Sequence, residues 1–334
     1  MPPVHAQLSG SPALLWQSSG APLAVILLIP GNPGVCSYYE EYADAMHRAL
    51  GRQSTILCPS LLGHHGEGPP PSGTVRAFGR ARSFYTVQDQ IDALVHALDR
   101  LEAMHEERVP LVLIGHSVGA YAAQRIFAAH SHRIDSVHYL FPTLAHIAKQ
   151  PRARTLAPLL APHGTVLVYW LAVIFSLLPY ILILPLVMLL TGMRGRYAAI
   201  TTTFTRSPRA VFNALSMARD EMLVIRDFDS DIIRATAGAP ARDQTIRAFW
   251  APGNADSWAP APARAYAEEH LHLERVPALD TAADDLPFRT STVVSGMSHA
   301  FILHKSHEMA QITAAYVSAD VAARNARLLQ DVSE

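Results

Sequence analysis

The chain has 334 residues, half of them apolar, which suffices for one large domain with an insertion and a sizeable core. Its 27 basic and 28 acidic residues leave a formal charge of −1, so no nucleic-acid partner is expected. Cys36 and Cys58 lack metal-ligand spacing and are too few for a disulfide framework; neither a metal nor a cofactor is expected.

In chain order, the first twenty residues have no basic start and no long apolar run, so no signal peptide is expected. Leu23 to Pro30 reads as an apolar strand that runs into Gly31-Asn32-Pro33-Gly34, a turn whose glycines let backbone approach a ligand closely. A helix is expected over Tyr38–Leu50 and a strand over Ser54–Cys58. Leu62 to Ser72, with His64-His65 and Pro69-Pro70-Pro71, reads as a loop beside the mouth of a site. The paired histidines lack spaced Cys, His or carboxylate partners, so no metal is assigned to them. A helix within Thr86–His105 and a strand over Val109–Ile114 follow.

That strand delivers Gly115-His116-Ser117-Val118-Gly119, with a helix-compatible run behind it. Gly-x-Ser-x-Gly on a sharp strand-to-helix turn is a nucleophile elbow, which lifts a serine hydroxyl clear of the backbone and within reach of a base. Ser117 is therefore the candidate nucleophile. The backbone N–H groups of Asn32 and Val118 are the candidate oxyanion donors, since Pro33 has none.

Further on, a strand is expected over Ser136–Phe141 and another over Thr245–Trp250. Asp256 lies on the loop after the second, whereas Asp243 precedes that strand and Asp280, Asp284 and Asp285 fall in a polar connector. Asp256 is the expected acid. The last strand, Thr290–Val294, leads into Ser-Gly-Met-Ser-His-Ala-Phe, and among His299, His304 and His307 it is His299 that lies on the loop, as a movable base requires. His304 and His307 fall where the closing helix begins. Order and placement predict a Ser117–His299–Asp256 triad on a mostly parallel sheet covered by helices on both faces. The Gly-Asn-Pro turn also suggests dehalogenase or epoxide-hydrolase chemistry, but that needs a carboxylate where this chain has Ser117.

Thr165 to Leu190 contains no charge over 26 positions, enough to span about 30 Å of hydrocarbon as one helix. Pro179 and Pro185 predict two short helices joined by a bend instead. Arg194 and Arg196 close the run, and Arg152, Arg154 and His163 precede it. Such cations suit phospholipid headgroups. The expected form is a monotopic hairpin in one leaflet or in a droplet monolayer; a buried helix pair and a true span are the alternatives.

The Ile-Pro-Gly-Asn-Pro-Gly segment with Ser37-Tyr38-Tyr39, the Gly-His-Ser-Val-Gly-Ala-Tyr elbow, Asp256-Ser-Trp-Ala-Pro and Ser-His-Ala-Phe together resemble the lipid-droplet-associated serine hydrolases. These are a branch of the α/β-hydrolase fold, and the resemblance runs from about Val25 to Ala310. It implies Ser117, Asp256 and His299 as the triad, action on lipid esters, and a place on lipid droplets or endoplasmic reticulum; with no signal peptide expected, the catalytic domain is expected to face the cytosol. The expected organisation is a hydrolase core over residues 1–142 and 244–334, with a cap insertion over 143–243. A membrane-bound scaffold that keeps the fold without useful turnover is the alternative function.

Overall fold

The computed structural model describes residues 2–8, 10–64, 69–278 and 286–333; His65, Asp280, Asp284 and Asp285 lie outside them. The strands are β1 (Val4–Leu8), β2 (Ser11–Trp16), β3 (Ala24–Ile29), β4 (Ser54–Pro59), β5 (Gly73–Ala77), β6 (Arg80–Phe84), β7 (Leu111–His116), β8 (Ser136–Leu140), β9 (Thr245–Trp250), β10 (Glu274–Val276) and β11 (Arg289–Val293). Among the described residues, nine of them form one sheet in the order β1-β2-β4-β3-β7-β8-β9-β11-β10, and β5 and β6 form a separate hairpin. From β4 to β10 every neighbour is parallel, whereas β1–β2 and β2–β4 are antiparallel.

Period-two alternation with a core on each face explains why the central parallel strand β3 is apolar throughout. In β3, Val25, Leu27 and Ile29 enter one core, while Ala24, Ile26 and Leu28 enter the other on the opposite face. The first core is closed by α2 (Val87–Glu102), α3 (Val118–His130), α9 (Ser230–Ala237) and α10 (Ala261–His270), the second by α1 (Glu40–Ala49), α11 (Phe301–His304) and α12 (Ser306–Ser333). Thr86 starts α2 with a reciprocal capping box to Asp89. The expected core strands recur with ends shifted by at most two residues.

Strands β1, β2 and β10 and the β5–β6 hairpin depart from the sequence-based expectations. β1 is a half-polar edge strand whose residues are exposed or partly exposed, so it carries no apolar signal. The β5–β6 hairpin turns through Phe78 (φ 50°) and Gly79 (φ 72°), so both central residues are left-handed. Such a turn is ordinarily announced by Asn-Gly, not Phe-Gly.

Between β8 and β9 the chain inserts α4 (Pro151–Leu160), α5 (Pro162–Leu177), α6 (Tyr180–Thr191), α7 (Gly195–Thr205) and α8 (Pro208–Val224), followed by α9. The apolar run does divide into two helices, with the bend at Leu178-Pro179; Pro185 sits inside α6 and does not break it. Among the described residues no single helix is long and apolar enough to cross a bilayer. Val166 of α5 packs with Phe212 of α8 and Phe84 of β6. The outer face of α5 and α6 has no cover among the described residues: Leu177 is 79% exposed, Ile181 75% and Leu189 81%.

Candidate active site

The site residues come from four loops at the carboxyl ends of parallel strands: Asn32 after β3, Ser117 after β7, Asp256 after β9 and His299 after β11. Open α/β sheets put their ligands there. Ser117 sits at φ 56°, ψ −122°, a strained conformation for a residue with a side chain. Its neighbours explain how the strain is held. A Cβ at Gly115 would lie 2.3 Å from the Gly119 carbonyl oxygen, and one at Gly119 would lie 2.4 Å from that of Ile29, so both positions exclude any larger residue. Ser117 N–H donates to the Leu140 carbonyl at 3.1 Å, tying the turn to the end of β8.

His299 Nδ1 lies 2.7 Å from Asp256 Oδ2, and its Nε2 lies 2.9 Å from Ser117 Oγ. Asp256 is 1% exposed. Burial alone would raise its carboxyl, but the hydrogen bond and charge of His299 and the N–H groups of Trp258 and Ala259 together hold it below the ordinary carboxylate range. An ionised Asp256 only accepts, so His299 must donate from Nδ1, which leaves Nε2 of the neutral ring to accept the Ser117 proton. The carboxylate is buried, the imidazole 19% exposed and the serine partly exposed, a gradient that keeps only the hydroxyl end open to a substrate.

The Gly-Asn-Pro-Gly turn lies against the serine: a Cβ at Gly31 would approach Ser117 Cβ to 2.9 Å. Gly34 N–H closes the turn on the Gly31 carbonyl at 2.6 Å. Val118 is the first residue of α3, so its N–H has no acceptor within the helix and is available to an oxyanion. Asn32 is fixed through its side chain, which donates to the Ala214 carbonyl at 2.9 Å and to Glu221 Oε1 at 3.0 Å, both on α8 of the insertion. Burial pushes the Glu221 carboxyl up to about 8 against the opposing Asn32 bond. His64 Nδ1 donates to the Pro33 carbonyl at 2.7 Å and buttresses the same turn.

A second, buried chain of hydrogen bonds was not expected from the sequence. Gly31 N–H donates to Tyr39 Oη at 2.7 Å, Tyr39 Oη lies 2.6 Å from His116 Nδ1, and His116 Nε2 lies 2.9 Å from the His299 carbonyl. Burial holds Tyr39 far above the ordinary tyrosine range and pulls His116 down to about 3, so Tyr39 stays protonated and His116 neutral. The His299 carbonyl can only accept, which fixes the His116 proton on Nε2 and makes Tyr39 the donor to Nδ1. One fully partnered chain thus joins the turn after β3, the elbow and the loop of His299. The only sequence signals for it are the His inside the pentapeptide and the Tyr38-Tyr39 pair; Glu221 has none.

The matching family model, described as lipid-droplet associated hydrolase, covers residues 22–302. This chain belongs to that family. The lipid droplet-associated hydrolase of Gallus gallus is 27% identical over 314 residues, covering 91% of this chain and 88% of that protein. Its counterpart in Drosophila melanogaster is 23% identical, over 86% and 87%. Among solved structures, a haloalkane dehalogenase from Bradyrhizobium elkani aligns with a TM-score of 0.63 at 14% identity, covering 96% of this chain and 99% of that one. A membrane phospholipase A described as a bacterial virulence factor aligns at 0.57 and 13%, over 95% and 86%. The family and its structural neighbours share the α/β-hydrolase fold, as the sequence predicts. At the position where dehalogenase chemistry needs a carboxylate, this member has Ser117.

Proposed function

We propose that this member of the family is a serine hydrolase that cleaves lipid esters, acyl or sterol, at the surface of lipid droplets or the endoplasmic reticulum. The observation that carries the reading is His299 bridging Ser117 and Asp256 at 2.9 and 2.7 Å. Ser117 Oγ attacks the ester carbonyl while its proton passes to His299 Nε2, and Asp256 stabilises the imidazolium. The N–H groups of Asn32 and Val118 receive the oxyanion. The imidazolium protonates the departing alcohol; water, deprotonated by His299, then releases the acid and restores Ser117.

The character of the insertion supports a lipid substrate. A cavity of about 410 Å³ opens between the segment after the Gly-Asn-Pro-Gly turn and α7, walled by Val35, Ile200 and Phe204 among others. The exposed face of α5 and α6 supports seating in a phospholipid monolayer: the apolar run is divided at Leu178-Pro179, and its two outer ends turn sharply, α4 into α5 by 71° and α6 into α7 by 112°. Each apolar side chain entering lipid contributes about 1.5–3 kcal/mol. Replacing Leu177, Ile181, Leu182 and Leu189 by Ser therefore removes on the order of 6–12 kcal/mol of insertion energy.

The test combines fractionation with kinetics. The quadruple variant is expected to leave droplets or microsomes for the cytosol, to turn over an emulsified long-chain ester poorly, and to keep its rate on a water-soluble ester. If the variant stays bound, α5 and α6 are not the anchor. If the wild-type protein releases no acid from either ester, the hydrolase reading fails.

A further inference from the structure

The carboxylates of the chain are distributed very unevenly. From Ser136 to Arg219, 84 consecutive residues contain no Asp or Glu, yet they carry Lys149 and seven arginines. Residues 69–88 likewise contain no acid and hold Arg76, Arg80 and Arg82. All 28 carboxylates therefore sit elsewhere, against 16 of the 27 cations, so a nearly neutral chain is strongly polarised. The fold brings the two acid-free stretches together. Phe78 at the tip of the β5–β6 hairpin packs edge-on against His163 of α5, ring centroids 4.7 Å apart. The Arg82 guanidinium lies 4.1 Å from the Tyr169 ring centroid and 5.8 Å from that of Trp170. The hairpin therefore lies along the helix whose outer face is bare.

An ordinary water-facing surface interleaves charges of both signs. Here Arg76 and Arg80 are exposed and form no ion pair among the described residues, and Phe78, between them, is 67% exposed. Arg196, by contrast, turns back and pairs with Glu40 at 2.6 Å. Arginine beside exposed aromatic and aliphatic side chains is the composition of a membrane interface, where guanidinium groups meet phosphate oxygens and rings sit at headgroup depth.

We propose that the β5–β6 hairpin is a second docking element that selects anionic phospholipid headgroups, alongside the apolar insertion of α5 and α6. It rests on the reading of those helices as a lipid anchor. Apolar insertion provides affinity for any monolayer. The hairpin adds preference for surfaces bearing net negative charge, and its contact along α5 fixes the orientation in which the protein sits on them.

Flotation with vesicles of phosphatidylcholine alone, and of phosphatidylcholine mixed with phosphatidylglycerol, tests the proposal. A basic side chain near an anionic surface is worth a factor of about five in partitioning, so Arg76→Gln with Arg80→Gln should weaken binding to the anionic vesicles by on the order of 25-fold. Binding of that variant to phosphatidylcholine should be unchanged, and high salt should bring the wild-type protein's partitioning on anionic vesicles down toward the neutral value. Equal wild-type partitioning on the two vesicle types, or an undiminished anionic preference in the double variant, overturns the proposal. Failure of the wild-type protein to bind phosphatidylcholine vesicles contradicts the apolar anchor instead, so the two readings fail separately. Both substituted side chains are exposed, and fluorophosphonate labelling of the same samples reports whether the fold is intact.

Discussion

His299→Gln is expected to lower ester turnover by on the order of 10⁴-fold or more, whereas His304→Gln and His307→Gln change it little. Glutamine keeps a side chain of similar reach but cannot take the Ser117 proton and later return it. The position is discriminating because His299 alone of the three lies between Asp256 and Ser117; His304 ends the short α11, His307 lies in the first turn of α12, and both are exposed. A mechanism that used His304 would need the last loop shifted by about one helical turn. Initial rates on a soluble ester decide the matter, since they remove any effect of membrane seating.

Asp320→Ala is expected to cost about 3–5 kcal/mol of stability, read as a lowered midpoint of urea unfolding. Asp320 on α12 lies beneath the sheet, where it bonds Arg247 of β9, His138 of β8 at 2.9 Å and Ser136 at 2.9 Å. Arg247 is 2% exposed, so removing Asp320 strands a buried guanidinium whose remaining partners, the Pro287 carbonyl and Thr290 hydroxyl, carry no charge. Burial pushes the Asp320 carboxyl up, but the Arg247 charge and the His138 contact outweigh it and hold it well below the ordinary range. A carboxyl lowered in the folded state adds stability above its unfolded value and loses it as pH falls through the folded one, so this contribution disappears only at strongly acidic pH. A midpoint shift equivalent to less than 1 kcal/mol would show that water reaches the pair.

The candidate site was legible from the sequence because each of its residues follows a strand. Ser117, Asp256, His299 and Asn32 all sit on loops at carboxyl ends, and a buried parallel strand is a conspicuous apolar run. The supporting network was not legible, because it joins residues far apart in the chain. Tyr39 and His116 are 77 positions apart and Asn32 and Glu221 are 189 apart, and nothing in periodicity pairs them. Arg247 shows the same limit: inside Thr-Ile-Arg-Ala-Phe-Trp it interrupts an apolar strand, and its partner on α12 lies 73 residues away. The β5–β6 hairpin escaped for a local reason, since Phe78 occupies a left-handed position where turn chemistry favours Asn or Gly.

The serine itself is tested most directly by treating the purified protein with a fluorophosphonate and mapping the adduct by peptide mass spectrometry. An activated hydroxyl reacts whatever the natural ester is, so the result does not depend on finding the substrate. The account predicts a single adduct on Ser117, absent in Ser117→Ala and strongly slowed in His299→Gln. An unmodified Ser117 in folded wild-type protein, or equal labelling in the Ser117→Ala variant, would contradict it.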